Sequence, residues 1–133
     1  MSVYLTDTHS LLWFTLNKHS LLSKKALSVF ESTVKGESFI YIPVIVLWEV
    51  AILEQKQRIK LNNGFIDWTT QVLKTKSFGI APLKPEIIAL GTGFNFNNDP
   101  FDEMITAFAS FMDLPLITKD NAITKSGLVE VYW

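Results

Sequence analysis

The chain has 133 residues, enough to bury one hydrophobic core of ordinary size without covalent staples. It has no cysteine and only two histidines, His9 and His19, which excludes disulfide scaffolds, thiolate zinc sites and cysteine nucleophiles, and leaves too few ligands for most zinc centres. Twelve basic and thirteen acidic residues give a net charge of −1, which excludes a strongly basic nucleic-acid coat, while 48% hydrophobic content argues against disorder.

Ser2 to Thr6 reads as a buried strand, and a helix begins near Thr8 and runs through Leu16. Ser23 fits the N-cap of a second helix that ends near Gly36. Ser38 to Ile42 reads as a strand, and Pro43 opens a helix that runs to about Lys56. Further on come a helix over Asn63 to Lys76, a strand over Phe78 to Ala81 and a helix over Pro85 to Gly91. Phe101, Ile105, Phe108 and Met112 recur at helical spacing. The chain closes with a strand over Leu114 to Thr118, a short helix after Asp120 and a strand over Val129 to Tyr132. Strands alternating with helices predict an α/β fold of three layers: a central, mostly parallel sheet of four to five strands with helices on both faces. No linker or repeat divides the sequence, so residues 1–133 are expected to form a single domain.

The most apolar stretch, Phe39 to Trp48, contains Pro43 and is far shorter than the roughly 20 residues a membrane helix needs. The first residues, MSVYLTDTHSLLW, lack a basic start and carry Asp7 within the apolar run, unlike a secretory signal. A cytoplasmic location is therefore expected. Mean hydropathy is positive, which suggests apolar surface covered by a partner.

In a parallel sheet, ligands bind beyond the carboxyl ends of the strands. Asp7 follows the first strand and Asp120 follows the late strand Leu116-Ile117-Thr118. Asp99 and Asp102 stand where a loop enters a helix, and Glu49 sits early in the helix after the second strand. All five can meet at one sheet edge. Several carboxylates with few histidines suit a hard cation such as Mg²⁺ or Mn²⁺. Each acid also has a plainer explanation. Asp7 and Asp120 fit helix caps; in Asp99-Pro100-Phe101-Asp102, Asp99 fits an N-cap, Pro100 the first helical position and Asp102 a capping box. Glu49 lies among Leu47, Trp48, Val50 and Ala51, where an unpaired carboxylate is costly.

These residues fall in four segments: LTDTHSLLW (Leu5 to Trp13), VLWEVAI (Val46 to Ile52), NDPFDEMITAFA (Asn98 to Ala109) and LPLITKD (Leu114 to Asp120). In this order and spacing they resemble the motifs of the PIN-domain ribonucleases, and in particular the VapC-like toxins of bacterial toxin–antitoxin pairs. The resemblance covers nearly the whole chain. It implies a PIN-like domain whose four metal-binding acids are Asp7, Glu49, Asp102 and Asp120, with Asp99 and Thr118 supporting them. It also implies a Mg²⁺- or Mn²⁺-dependent endoribonuclease that leaves a 5′-phosphate and a 3′-hydroxyl. The implied partners are a cognate antitoxin that inhibits it and a second copy in a homodimer. Two departures stand out: Glu103 replaces the usual basic residue after Asp102, and Ile45 and Val46 occupy a place where the family often has a serine.

With the five acids set aside, 12 basic residues face 8 acidic ones, so Lys18, Lys24, Lys25, Lys56, Arg58, Lys60, Lys74 and Lys76 are candidates for a phosphate-attracting rim. Trp13, Phe14 and Trp48 are candidates for base stacking, although core packing explains such aromatics more often. Trp13, Phe14, Trp48, Ile52 and Leu53 spread too widely for one buried stripe, so some are expected to face outward and form a groove. A haloacid-dehalogenase-like phosphatase needs a second aspartate where this chain has His9, and a receiver domain needs a phosphoacceptor where Ile42 leads into Pro43. The remaining alternative is a degenerate PIN domain that binds RNA or protein without cleaving it.

Overall fold

The computed structural model describes residues 1–133. Five strands, β1 (Ser2–Thr6), β2 (Ser38–Pro43), β3 (Phe78–Ala81), β4 (Leu116–Ile117) and β5 (Val131–Tyr132), form one sheet in the order β3-β2-β1-β4-β5. Every pairing is parallel. Seven helices connect them: α1 (Thr8–Thr15), α2 (Lys24–Val34), α3 (Val44–Gln55), α4 (Gly64–Leu73), α5 (Pro85–Gly93), α6 (Pro100–Met112) and α7 (Asn121–Ser126). A short 3₁₀ turn covers His19–Leu21. The expected α/β sheet is thus present, wholly parallel and five-stranded.

Strand order explains where a site can form. The chain moves from β1 outward to β2 and β3, then returns to the other side of β1 for β4 and β5. Right-handed crossovers in opposite directions put helices on both faces. The direction reverses between β1 and β4, and there the loops leaving the two strands part to open a crevice. The side chains of Leu5, Ile40, Ile42, Leu116 and Ile117 build the core of the sheet. Ala26 and Phe30 of α2, Val46 and Val50 of α3, and Ile105 and Phe108 of α6 close over it.

Local chemistry sets the element ends. Pro43 is the last residue of β2 and the N-cap of α3, a cap that offers no side-chain acceptor. β4 is shorter than the expected Leu114 to Thr118: Leu114 donates its N–H to Ala109 in the end of α6, and Pro115 has no N–H for the ladder. α4 stops at Leu73, short of the expected Lys76, and the chain turns back into β3 with the Phe78 N–H bonded to the Thr75 carbonyl. α5 and α6 meet closely at Gly91, where an added Cβ would stand 3.0 Å from Met104 Sδ and 3.1 Å from Ala107 Cβ. That approach seats α6, which carries Asp102. No helix is long and apolar enough to cross a membrane.

Candidate active site

The crevice holds a pocket of about 400 Å³ lined by Asp7, His9, Trp13, Glu49, Asp99, Asp102, Lys119 and Asp120. All five acids singled out from the sequence therefore meet there, brought from four separate segments. β1 delivers Asp7 and β4 delivers Asp120 through Thr118 and Lys119. Contact between α3 and α6 brings Glu49 towards Asp102.

The plainer roles and the site coexist. Asp7 caps α1, its Oδ1 accepting the Ser10 N–H at 2.9 Å, while Oδ2 accepts the Thr118 hydroxyl at 2.5 Å. Asp120 caps α7 through Oδ1, which accepts the Ile123 N–H at 2.8 Å. Asp99 caps α6, its Oδ1 accepting from the N–H groups of Phe101 (2.9 Å) and Asp102 (3.2 Å). Capping consumes one oxygen and fixes the carboxylate's direction. In Asp99 and Asp120 it leaves Oδ2 outside the cap. The expected capping box is only half made. Asp102 does not reach back to the Asp99 N–H, which donates to Asn97 Oδ1; Asp102 Oδ2 instead accepts from Asn97 Nδ2 at 2.9 Å.

Glu49 is half-buried and accepts a 2.5 Å hydrogen bond from the buried Thr8 hydroxyl at its Oε1. Thr8, Ser10, Asn97 and Thr118 are neutral, so they orient the acids without cancelling their charge. The electrostatic consequence is large. Burial pushes the Asp7 carboxyl above its ordinary value, against the lowering effect of the Ser10 and Thr118 hydrogen bonds. Burial also raises Glu49, with Asp99 and Asp7 adding repulsion. Asp102 is pushed up to about 7, by burial first and then by the charges of Asp99 and Asp120.

As the side chains stand, no three acid or histidine groups are close enough together to hold one metal ion. The donor chemistry nevertheless fits a hard divalent cation: the pocket offers carboxylate oxygens from five residues, and their mutual repulsion is what such a cation relieves.

Several neighbours were not marked by sequence reasoning. Thr8 and Asn97 hold acids in place, and Lys119 lines the pocket. Thr8 stands within the quoted D-T-H segment, but its partner Glu49 lies 41 residues away and no local pattern links them. None of the eight candidate rim cations lines the acidic pocket. Lys18, Arg58 and Lys60 gather instead in a trough of about 580 Å³ beyond the C-terminal ends of α1 and α3, and Lys25 sits 4.5 Å over the Tyr132 ring. Glu103 also lies outside the pocket lining, its Oε2 accepting the Phe96 N–H at 3.3 Å. Of the candidate stacking residues, Phe14 is packed on Phe30 at 4.8 Å. Trp48 is 60% exposed beside Phe101, and Ile52 and Leu53 are partly buried.

The cap assignment is testable. Asp99→Asn is expected to keep stability, because asparagine caps about as well, whereas Asp99→Ala should cost about 0.5–2 kcal/mol in denaturant unfolding. Equal stability of the two variants would contradict the cap.

A wholly parallel sheet with helices on both faces and acids clustered at its switch point makes this a doubly wound α/β protein, and comparison with solved structures agrees on the fold. The chain is similar to one in the crystal structure of VapBC2 from Rickettsia felis bound to a DNA fragment from their promoter, with a TM-score of 0.68 and 16% identity over 98% of this chain and 99% of that one. It is also similar to a chain of a toxin–antitoxin complex from Klebsiella pneumoniae, with a TM-score of 0.58 and 18% identity over 88% and 86% of the two chains. A protein from Pyrobaculum aerophilum matches with a TM-score of 0.52 and 16% identity over 96% and 87%. No protein-family profile and no curated protein matches by sequence. At these identities the likeness shows the fold, and the fold is the PIN-like one that the four motifs resemble.

Proposed function

We propose that this chain is a metal-dependent endoribonuclease toxin of the VapC-like PIN type, held inactive by a cognate antitoxin in the cytoplasm. The observation that carries this reading is the convergence of Asp7, Glu49, Asp99, Asp102 and Asp120 on one pocket at the switch point. Toxin–antitoxin complexes among the structural neighbours support the partner.

Asp7, Glu49, Asp102 and Asp120 would hold Mg²⁺ or Mn²⁺, which when bound lowers the pKa of a water nucleophile and offsets charge developing on a phosphodiester. The rest belongs to the chain. Ser10 and Thr118 hold both oxygens of Asp7, and Thr8 and Asn97 fix Glu49 and Asp102. The carboxylates are thereby oriented before substrate arrives. Lys119 is the cation at the pocket itself and would attract the RNA backbone without reading its sequence. The direct test is incubation of the purified chain with single-stranded RNA. The reading requires Mg²⁺-dependent, EDTA-sensitive cuts that leave 5′-phosphates and 3′-hydroxyls. Binding without cleavage would mark a non-catalytic PIN domain.

Thr8 is a positioning residue in this scheme. Thr8→Val is expected to slow cleavage by about tenfold or more, as loss of a ligand-orienting hydrogen bond does elsewhere. Thr8→Ser, which restores the hydroxyl, should recover most of the rate, and failure of that rescue would point to packing instead.

Trp48 tests the partner. Its ring is exposed, so Trp48→Gln should leave the fold intact by circular dichroism yet weaken the antitoxin complex by about tenfold or more, as loss of an aromatic anchor does. The same face is available for the homodimer, and light scattering at high micromolar concentration reads that state. A folded variant with unchanged antitoxin affinity would remove Trp48 from the interface.

A further inference from the structure

Seven of the eight side chains lining the acidic pocket are charged or ionisable; the eighth is Trp13. Like Phe14, Trp13 is partly buried and packs against the core, but its position on α1 also places it in the acidic pocket, where Phe14 is absent. Trp13 keeps part of its surface exposed at the pocket wall. Its ring also has two aromatic neighbours. Trp133 meets it edge-on, with centroids 6.2 Å apart and planes at 62°, and His9 leans on it at 6.0 Å and 49°. Packing against two rings restricts the indole's rotation, so the π surface it presents beside the acids is already ordered. Trp13 stands six residues beyond Asp7 along α1, a rise of about 9 Å.

We propose that Trp13 is the stacking platform for an unpaired nucleobase of RNA whose phosphate lies at the acids. The proposal rests on the ribonuclease reading above and adds a substrate feature to it. A phosphodiester bound at the carboxylates brings its own bases to the pocket wall, and the one apolar face there receives one of them. Stacking on an indole is tolerant of base identity because every base has a π face. It does require that the face be free, so the site selects single-stranded over duplex RNA. An arginine from a protein partner is the other ligand suited to an indole among carboxylates. The base is favoured because it arrives covalently attached to the phosphate that the site exists to bind.

The test is equilibrium binding of two labelled oligomers of equal length, one oligouridine and one abasic ribose-phosphate. Ca²⁺ replaces Mg²⁺ to preserve them. The wild-type chain is expected to bind the base-bearing oligomer on the order of tenfold more tightly. Trp13→Leu should bind both at the abasic affinity, and Trp13→Phe should restore part of the difference. Should Trp13→Leu fail to fold by circular dichroism, an oligomer carrying 2-aminopurine decides the matter on wild-type protein: binding must quench its fluorescence, and unquenched binding overturns the proposal. Equal wild-type affinity for the two oligomers overturns it, as does discrimination that survives in Trp13→Leu. Trp13-dependent capture of an arginine-rich peptide without base discrimination would also overturn it, giving the ring to a protein partner. EDTA-sensitive cleavage without base discrimination would sink the stacking platform alone; neither binding nor cleavage would sink the ribonuclease reading with it.

Discussion

Asp7→Asn and Asp102→Asn are each expected to abolish Mg²⁺-dependent RNA cleavage while leaving the circular dichroism spectrum unchanged. Asparagine preserves the volume of each side chain. At position 7 it also preserves the cap of α1, since its amide oxygen can accept the Ser10 N–H as Asp7 Oδ1 does. What it removes is one anionic oxygen from a site suited to hard cations. Asp102 is the more telling of the two because it caps nothing; its side chain accepts from Asn97 and otherwise faces Asp99 and Asp120. Removing its charge relieves repulsion, so Asp102→Asn should be at least as stable as wild type without metal while inactive. A folded variant that cuts RNA at the wild-type rate would take that acid out of the site.

The second large effect is the opposition between pH and metal. Asp7, Glu49 and Asp102 all have carboxyls raised by burial, Asp102 to about 7 from 3.8. A raised acid binds its proton more tightly folded than unfolded. The stability it contributes is full below the unfolded value and is lost as pH rises through the folded value. Metal-free protein is therefore expected to lose thermal stability between about pH 4 and pH 7, the span of the Asp102 shift. Saturating Mn²⁺ should reverse the trend, because it binds the deprotonated carboxylates. The shift in Tm caused by Mn²⁺ should be larger at pH 8 than at pH 5. A metal-free Tm that climbs steadily across this window would contradict the picture of repelling, desolvated acids.

Much of this arrangement is legible in the chain because its strongest signals are local. β1 and β3 occupy the predicted residues, since short apolar runs bounded by polar residues or turns mark strands well. Asp99-Pro100 announces the start of α6 by capping preference alone, and the cap is there. Asp7 and Asp120 are legible because each follows a strand end, where topology puts ligands. What the sequence conceals is tertiary. Thr118 is expected to support the acids, but its partner Asp7 lies 111 residues away, and Thr8 holds Glu49 across 41. The outward face of α3 was equally hidden: the helix is apolar nearly all round, so periodicity does not say that Val46, Leu47 and Val50 turn inward while Trp48 turns out. The positions of the basic residues followed the same logic. Lysines read as a single rim divide between a trough beyond α1 and α3 and other surfaces, because charge in a sequence carries no direction.

The proposed chemistry requires that the five-acid pocket bind a divalent cation. Calorimetric titration of Mn²⁺ into the purified chain at pH 7.5 answers that without any choice of RNA. The expected result is saturable binding that weakens by at least about tenfold in Asp102→Asn and in Asp7→Asn. Absence of binding, or equal affinity in all three proteins, would contradict it.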